Sequence, residues 1–295
     1  MLDNLGLPVV LALGYFDSVH KGHIKVINKA CAKAKELNAK TVVFTFSGNL
    51  RAFFKGEKEK FVYTPKERKE ILLSLGADEV YFAPVNKTFL SKGKRAFLNY
   101  INSKFNVCAY VCGSDYTFGK NASGSVKFLE EYAKAKEQTL VRVPVLNMAG
   151  EKVSTSRIKE RLISGDVKGA NALLGRDYSL SGKVFKDRKV GTALGFPTAN
   201  IKADKNKQTL KNGVYSGYAF VHGKKYKAVI NYGARPTFSL SDVLIEAHLI
   251  DFSGNLYGKT LAVYFSDFIR DVKTFSSREE LKKQIEKDVA MAKKG

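Results

Sequence analysis

The sequence predicts two domains in series: a doubly wound α/β domain, then an antiparallel β domain, barrel or sandwich, closed by one helix. Three observations carry this. Short apolar runs alternate with helical patterns over the first part of the chain. The alternation stops near residue 175, where strand-like segments follow one another without helices between them. The last stretch, about Ser277 to Lys293, returns to helical spacing.

The first-part strands are Val9–Leu13, Thr41–Phe46, Glu79–Ala83, Ala109–Cys112 and Leu140–Val145. They are continuous apolar runs rich in β-branched and aromatic residues, as strands buried on both faces of a parallel sheet require. Ile24, Ile27, Cys31, Ala34 and Leu37 recur at helical spacing. Thr64-Pro65-Lys66-Glu67 opens another helix, with Thr64 as cap, Pro65 in the first turn and Glu67 completing a capping box; Gly76 ends it. Ser156 to Ile163 and Val167 to Leu174 read as short helices ended by Gly165 and Gly175. The later strands are Ser179–Phe185, Val214–Val221, Tyr226–Tyr232, Val243–Asp251 and Leu261–Phe268, with a hairpin turn at His222-Gly223-Lys224. Ser276 or Ser277 caps the final helix, with Glu279 or Glu280 in the capping-box position. The domain boundary falls at 174/175, giving 1–174 and 175–295.

Composition bounds the function. No apolar run reaches the length of a membrane span. Met1 to Phe16 is apolar but carries Asp3 and is interrupted by Gly6, Pro8 and Gly14, so it reads as a first strand and not a signal peptide. The three cysteines, Cys31, Cys108 and Cys112, fit neither a disulfide framework nor a zinc site. A cytoplasmic protein is expected. The formal charge is +22, but the lysines are spread over the chain without a basic tail or arginine-rich block. That distribution argues against nucleic acid and for a solvated basic surface that attracts small anions.

The first strand runs into Gly14-Tyr15-Phe16-Asp17-Ser18-Val19-His20-Lys21-Gly22-His23, and a helix begins there. Ligands bind at the carboxyl ends of such strands. Gly14 and Gly22 allow backbone to approach a ligand. His20 and His23, three apart, can share a face at a helix N-terminus, where free N–H groups favour phosphate. In the second part, Leu194-Gly195-Phe196-Pro197-Thr198-Ala199-Asn200 puts Thr198 and Asn200 two apart, so in extended chain two neutral oxygens point to one side. Such oxygens suit Mg²⁺ held jointly with ATP; a loop bonded to its own backbone is the plainer alternative. On the strand Val243–Asp251, Glu246 and His248 take one face while Ile245, Ala247 and Leu249 take the other.

These segments resemble the prokaryotic bifunctional riboflavin kinase/FMN adenylyltransferases. His20-Lys21-Gly22-His23 resembles the H-x-G-H signature of nucleotidylyltransferases, and Gly14-Tyr15-Phe16-Asp17 that family's Gly-x-Phe-Asp. Gly113-Ser114-Asp115-Tyr116-Thr117-Phe118-Gly119 and Ser154-Thr155-Ser156-Arg157-Ile158 resemble two further segments of its first domain. Leu194 to Asn200, Asn231 to Phe238, Ile245 to Phe252 and Leu256-Tyr257-Gly258 resemble segments of its kinase domain.

The resemblance implies a Rossmann-like nucleotidylyltransferase domain followed by an antiparallel β-barrel with a terminal helix. It implies that riboflavin and ATP give FMN in the barrel, and that FMN and ATP give FAD and pyrophosphate in the first domain. His20 and His23 would then act on the reacting phosphates. Gly14, Phe16, Asp17, Asp115, Ser154, Thr155, Ser156 and Arg157 would join them around the nucleotide. In the kinase, Glu246 would be the general base and Thr198 and Asn200 the Mg²⁺ ligands. Gly191, Thr192, Leu256, Tyr257 and Gly258 would lie at its nucleotide, and Arg270 and Phe275 at the flavin, where a ring and a guanidinium suit a planar flavin with a phosphate. The chain departs from the family pattern at several positions, among them Tyr15, where a smaller or polar residue is common, and Lys186-Asp187 and Gly191-Thr192, where His-Gly and Gly-Arg are usual. Ser47-Gly48-Asn49-Leu50 stands where a Glu-Pro-His-Pro loop is usual, and Ser18 stands where Gly is usual. A chain with only its kinase half at work is the alternative.

Overall fold

The computed structural model describes residues 6–56, 60–186, 191, 194–234 and 243–294. It divides into two compact units, Met1–Thr155 and Ser156–Gly295.

The first unit contains β1 (Val9–Leu13), α1 (Lys21–Glu36), β2 (Lys40–Phe46), α2 (Leu50–Lys55), α3 (Pro65–Ser74), β3 (Glu79–Ala83), α4 (Lys87–Leu90), α5 (Lys94–Lys104) and β4 (Val107–Gly113). It continues with the ribbon of β5 (Thr117–Phe118) and β6 (Gly124–Ser125), then α6 (Val126–Lys134), β7 (Thr139–Val143) and the ribbon of β8 (Asn147–Met148) and β9 (Glu151–Lys152). Five strands form one parallel sheet in the order β3-β2-β1-β4-β7. All of β1 is buried, because alternate residues face two different cores. Val10 and Ala12 meet Ile27, Ala30 and Leu72 from α1 and α3. Leu11 and Leu13 meet Phe97, Ile101 and Leu129 from α5 and α6. The capping box at Thr64 forms as the sequence predicts, and Gly76 follows the helix at φ 97°.

The second unit begins with α7 (Thr155–Ser164) and α8 (Val167–Leu174), followed by Gly165 at φ 88° and Gly175 at φ 77° respectively. Asn171 of α8 holds the barrel wall, donating to the Phe265 carbonyl and accepting from the Tyr178 N–H, each at 2.8 Å. The barrel strands are β10 (Tyr178–Phe185), β11 (Ala199–Lys202), β12 (Gly213–Val221), β13 (Lys224–Ala234), β14 (Val243–Leu249) and β15 (Thr260–Arg270). They close in the order β10-β11-β14-β13-β12-β15, every neighbouring pair antiparallel. This settles barrel against sandwich. β11 is not among the strands expected from sequence, and its extended course agrees with Thr198 and Asn200 lying two apart in extended chain. His222 and Gly223 make the two-residue hairpin turn, both at positive φ, which matches strand twist.

The barrel interior holds Tyr215, Ile230, Tyr232, Ile245, Ala247 and Phe265, all buried. The final helix, α9 (Arg278–Lys294), packs outside it: Val289 and Ala292 meet Val214, Val229 and Ile250 on the outer face. Ser277 caps α9 through the Glu280 N–H at 3.1 Å, and Glu280 reaches back to the Ser276 N–H at 3.0 Å.

Candidate active sites in the two units

In the first unit, β1 ends at Leu13 and the chain turns through Gly14 to His20 into α1. The turn is strained: Phe16 lies at φ 48° and Val19 at φ 40°, both buried. A β-branched residue at positive φ is an outlier that its surroundings must hold in place. His20 is the N-cap of α1, and its Nδ1 accepts from the His23 N–H at 3.1 Å. An accepting Nδ1 leaves the neutral ring's proton on Nε2, so His20 presents a donor there. The two imidazoles stack with centroids 3.6 Å apart and planes 12° apart, while Phe16 meets His23 edge-on at 5.1 Å. Gly14 packs against the Phe16 ring so closely that a Cβ there would lie 2.6 Å from it.

This turn opens on a cavity of about 680 Å³ at the carboxyl ends of the strands. Gly14, Phe16, His20, His23, Asp115, Ser154 and Thr155, all expected at a nucleotide, line it together. Asp17 is buried at 1% exposure and is not part of the lining. Ser156 and Arg157 continue into the first turn of α7 and fall in the second unit. Asp115 pairs with Lys152 across the lining. Ser18, where the family pattern has Gly, shares a 2.8 Å hydrogen bond between its hydroxyl and that of Thr155. The Ser47-Gly48-Asn49-Leu50 departure builds α2: Asn49 caps it by accepting from the Ala52 N–H at 3.1 Å. Leu50 and Phe54 of α2 then join Phe46 and Phe89 as an apolar wall of the same cavity.

One residue of this site escaped the sequence reading. Arg68 of α3 is fully buried. It donates to the Tyr15 carbonyl at 3.1 Å and to the Phe46 carbonyl at 2.8 Å, tying together the chain ends that leave β1 and β2. The signal was present, since Arg68 and Leu72 are four apart and share the face of α3 that turns inward.

In the second unit, the site lies on the outer wall of the barrel and not in its lumen. Register places Arg270, Val214, Asn231, Glu246 and Asn200 on one line across β15, β12, β13, β14 and β11. All five line a cavity of about 290 Å³, with Thr198, His248, Phe275 and Asp288. Asn231 Nδ2 donates to Glu246 Oε2 at 3.1 Å. Asn200 is 6% exposed, and its Oδ1 has no hydrogen-bond partner among the described residues. A buried carbonyl oxygen in that condition calls for a cation or a donor from a ligand. His248 Nδ1 lies 2.9 Å from the Pro197 carbonyl, which can only accept, so this nitrogen carries the proton. The contact pins the strand-leading loop just before Thr198. Gly191 packs against the same loop: a Cβ there would lie 2.4 Å from the Phe196 carbonyl oxygen.

Arg270 and Phe275 both line the cavity, the guanidinium carbon 5.9 Å from the ring centroid. Arg270 is bound by Asp288 of α9, a residue absent from the sequence reading. Leu256, Tyr257 and Gly258 are not in the cavity lining. They sit beside the end of β10, where the Gly258 N–H donates to the Val184 carbonyl at 2.8 Å. Thr192 and the stretch 235–238 lie outside the described residues.

Two nucleotide-using transferase domains in one chain is the class this fold and these sites define. A family model described as FAD synthetase matches residues 5–157, and one described as riboflavin kinase matches residues 174–295. The chain is 36% identical over 284 residues to the bifunctional riboflavin kinase/FMN adenylyltransferase of Bacillus subtilis (strain 168), covering 95% of this chain and 90% of that protein. It is 31% identical over 293 residues to the protein of the same name from Haemophilus influenzae, covering 96% and 92%. This chain therefore belongs to the bifunctional riboflavin kinase/FMN adenylyltransferase family. A crystal structure from Streptococcus pneumoniae titled a macrolide-efflux protein matches with a TM-score of 0.90 and 28% identity, covering 98% of this chain and 94% of that one. Its title belongs to that protein; among the described residues here, no helix is long and apolar enough to cross a membrane.

Proposed function

We propose that the chain makes FAD from riboflavin in two ATP-dependent steps. The barrel unit transfers the γ-phosphoryl group of ATP to the 5′-hydroxyl of riboflavin, giving FMN and ADP. The α/β unit transfers AMP from a second ATP to FMN, giving FAD and pyrophosphate. Both steps consume ATP, in keeping with the cytoplasmic setting expected from the sequence, and we place the boundary between the activities at 174/175.

The observation that carries the kinase reading is the transverse row on the barrel wall. Glu246 stands in it between Asn231 and Asn200, as the proton acceptor for the ribityl hydroxyl. Asn231 holds one carboxylate oxygen from the neighbouring strand. Thr198 and Asn200 would hold Mg²⁺, which neutralises charge on the transferring phosphates when bound. The unpartnered Asn200 oxygen fits that task. Arg270 stands three strands away from Glu246, about 14 Å along the sheet at ordinary strand spacing, with the Phe275 ring beside it; a flavin ring on an extended ribityl chain would rest there.

In the α/β unit, an oxygen of the FMN phosphate attacks the α-phosphorus of ATP and pyrophosphate leaves. His20 and His23 sit at the N-terminus of α1 to receive the charge that develops. Ser154 and Thr155, which line the same cavity, would add hydroxyl donors to the phosphates. Leu50 and Phe54 of α2 give the flavin ring an apolar wall in place of the missing Glu-Pro-His-Pro loop. This favours two working halves over a kinase alone. Incubation with riboflavin, ATP and Mg²⁺, followed by chromatography, tests the scheme: FMN appears first and FAD after it. FMN that never proceeds to FAD with ATP in excess leaves only the kinase reading.

A further inference from the structure

We infer that Asp288 is a positioning residue of the barrel's flavin site, fixing Arg270 and cancelling its charge so that the site does not favour a phosphorylated flavin over a neutral one. The inference rests on the kinase reading above. Asp288 is 1% exposed, and no proposed chemical step uses its carboxylate. Its oxygens take three hydrogen bonds from Arg270: Nε to Oδ1 at 3.0 Å, Nε to Oδ2 at 3.2 Å and Nη2 to Oδ2 at 2.7 Å. Gln284, one turn earlier on α9, donates to Oδ1 at 2.9 Å. Arg270 Nη1 donates to the Asp271 carbonyl at 3.0 Å.

Every nitrogen of the guanidinium is thus engaged within the protein. The FMN phosphate forms at the Glu246 end of the site, about 14 Å from Arg270 at ordinary strand spacing, so a bare guanidinium would act on it through its charge. A flat, charge-compensated group beside Phe275 suits a neutral aromatic ring system instead. The distinction matters because substrate and product of the kinase share that ring system. Riboflavin is uncharged, whereas the FMN phosphate carries about −1.5 to −2 at neutral pH. An uncompensated Arg270 would attract the product in preference to the substrate. The pair with Asp288 removes that bias, so the product is freed for adenylylation.

The test uses the full-length protein and reads initial ADP release, which the kinase step produces and adenylylation does not. The KM for riboflavin and the competitive inhibition constant of FMN are measured for the wild type, Asp288→Asn, and Arg270→Gln/Asp288→Asn. In Asp288→Asn, FMN inhibition strengthens relative to the riboflavin KM by about threefold or more at low ionic strength, and salt erodes the difference. The double variant, with both charges gone, returns the ratio to its wild-type value. If Asp288 serves structure alone, both flavins weaken in proportion and the ratio stays put, which overturns the inference. Should Asp288→Asn fail to fold, Arg270→Gln carries the test with the opposite sign: FMN weakens more than riboflavin, and an unchanged ratio again overturns it. Absence of riboflavin-dependent ADP release from the wild type would instead sink the kinase reading on which the inference rests.

Discussion

Asn231 and Glu246 face each other across the β13–β14 ladder, and the Asn231 side-chain amide donates to Glu246 Oε2 at 3.1 Å. The hydrogen bond helps to orient the Glu246 carboxylate. Glu246→Gln keeps the shape but cannot take a proton, so FMN formation falls by about two or more orders of magnitude. Asn231→Leu leaves the base but removes one hydrogen bond that orients it, and kcat falls about tenfold while the KM for ATP is unchanged. Both are read as ADP release. A rise in the KM for ATP with kcat intact would assign Asn231 to nucleotide binding instead.

His23→Ala tests the other unit. Loss of preorganised contacts to the reacting phosphates lowers FAD formation from supplied FMN by about 10²-fold or more. Riboflavin phosphorylation is unaltered, because that chemistry belongs to the barrel. FAD synthesis at the wild-type rate in the folded variant would remove His23 from the reaction.

Gly14→Ala inserts a methyl within 2.6 Å of the buried Phe16 ring. The ring must shift, and with it the edge contact to His23. We expect about 1–3 kcal/mol of destabilisation in the α/β unit, the usual range for overpacking. FAD synthesis falls with FMN synthesis preserved; calorimetry and product chromatography report the two effects.

Alkaline pH destabilises both units. Burial pushes the Cys112 thiol in the parallel sheet and the Tyr232 hydroxyl in the barrel each up to about 12, from 9.0 and 10.0. A raised acid holds its proton in the folded state after the unfolded chain has lost it. Stability from Cys112 is therefore intact below about pH 9 and drains away from there toward 12, and that from Tyr232 follows about one unit later. Melting temperature against pH, with phenolate absorbance as the probe of tyrosine ionisation, follows the decline. Phenolate that forms freely in the folded protein at pH 10 from all tyrosines would contradict it.

The strand order of neither sheet was readable, but the alternation that produces them was. β1 shows why: each of its residues is buried by a different neighbour on one of two faces, so the run is apolar throughout and announces a central strand. β11 was missed because Pro197 and Gly195 mark its approach as loop, and only pairing with β10 and β14 makes Ala199–Lys202 a strand. The motif residues of each site were legible because glycines, histidines and paired oxygens at fixed spacing carry chemistry on their face. Arg68 and Asp288 were not, since each acts through a partner distant in sequence. Both nevertheless left a trace as a charge on the apolar face of a helix: Asp288 is four residues from Ala292, and both are buried.

The row across the barrel has a consequence for how this chain can change over time. Its members come from five strands and meet only because each ladder is aligned to the residue. Side chains can be exchanged one at a time, and loops between strands can lengthen. A single codon gained or lost inside β14 is different. It would exchange the inward and outward sets of that strand, turning Glu246 toward Tyr232 and Phe265 in the interior and leaving an aliphatic residue outside. The barrel could still close around such a strand with a polar group misplaced, yet the base would be gone. Strand length in this half is therefore under the same constraint as the proposed base itself, and lineages that keep the kinase should vary in their loops while their strands hold a fixed count.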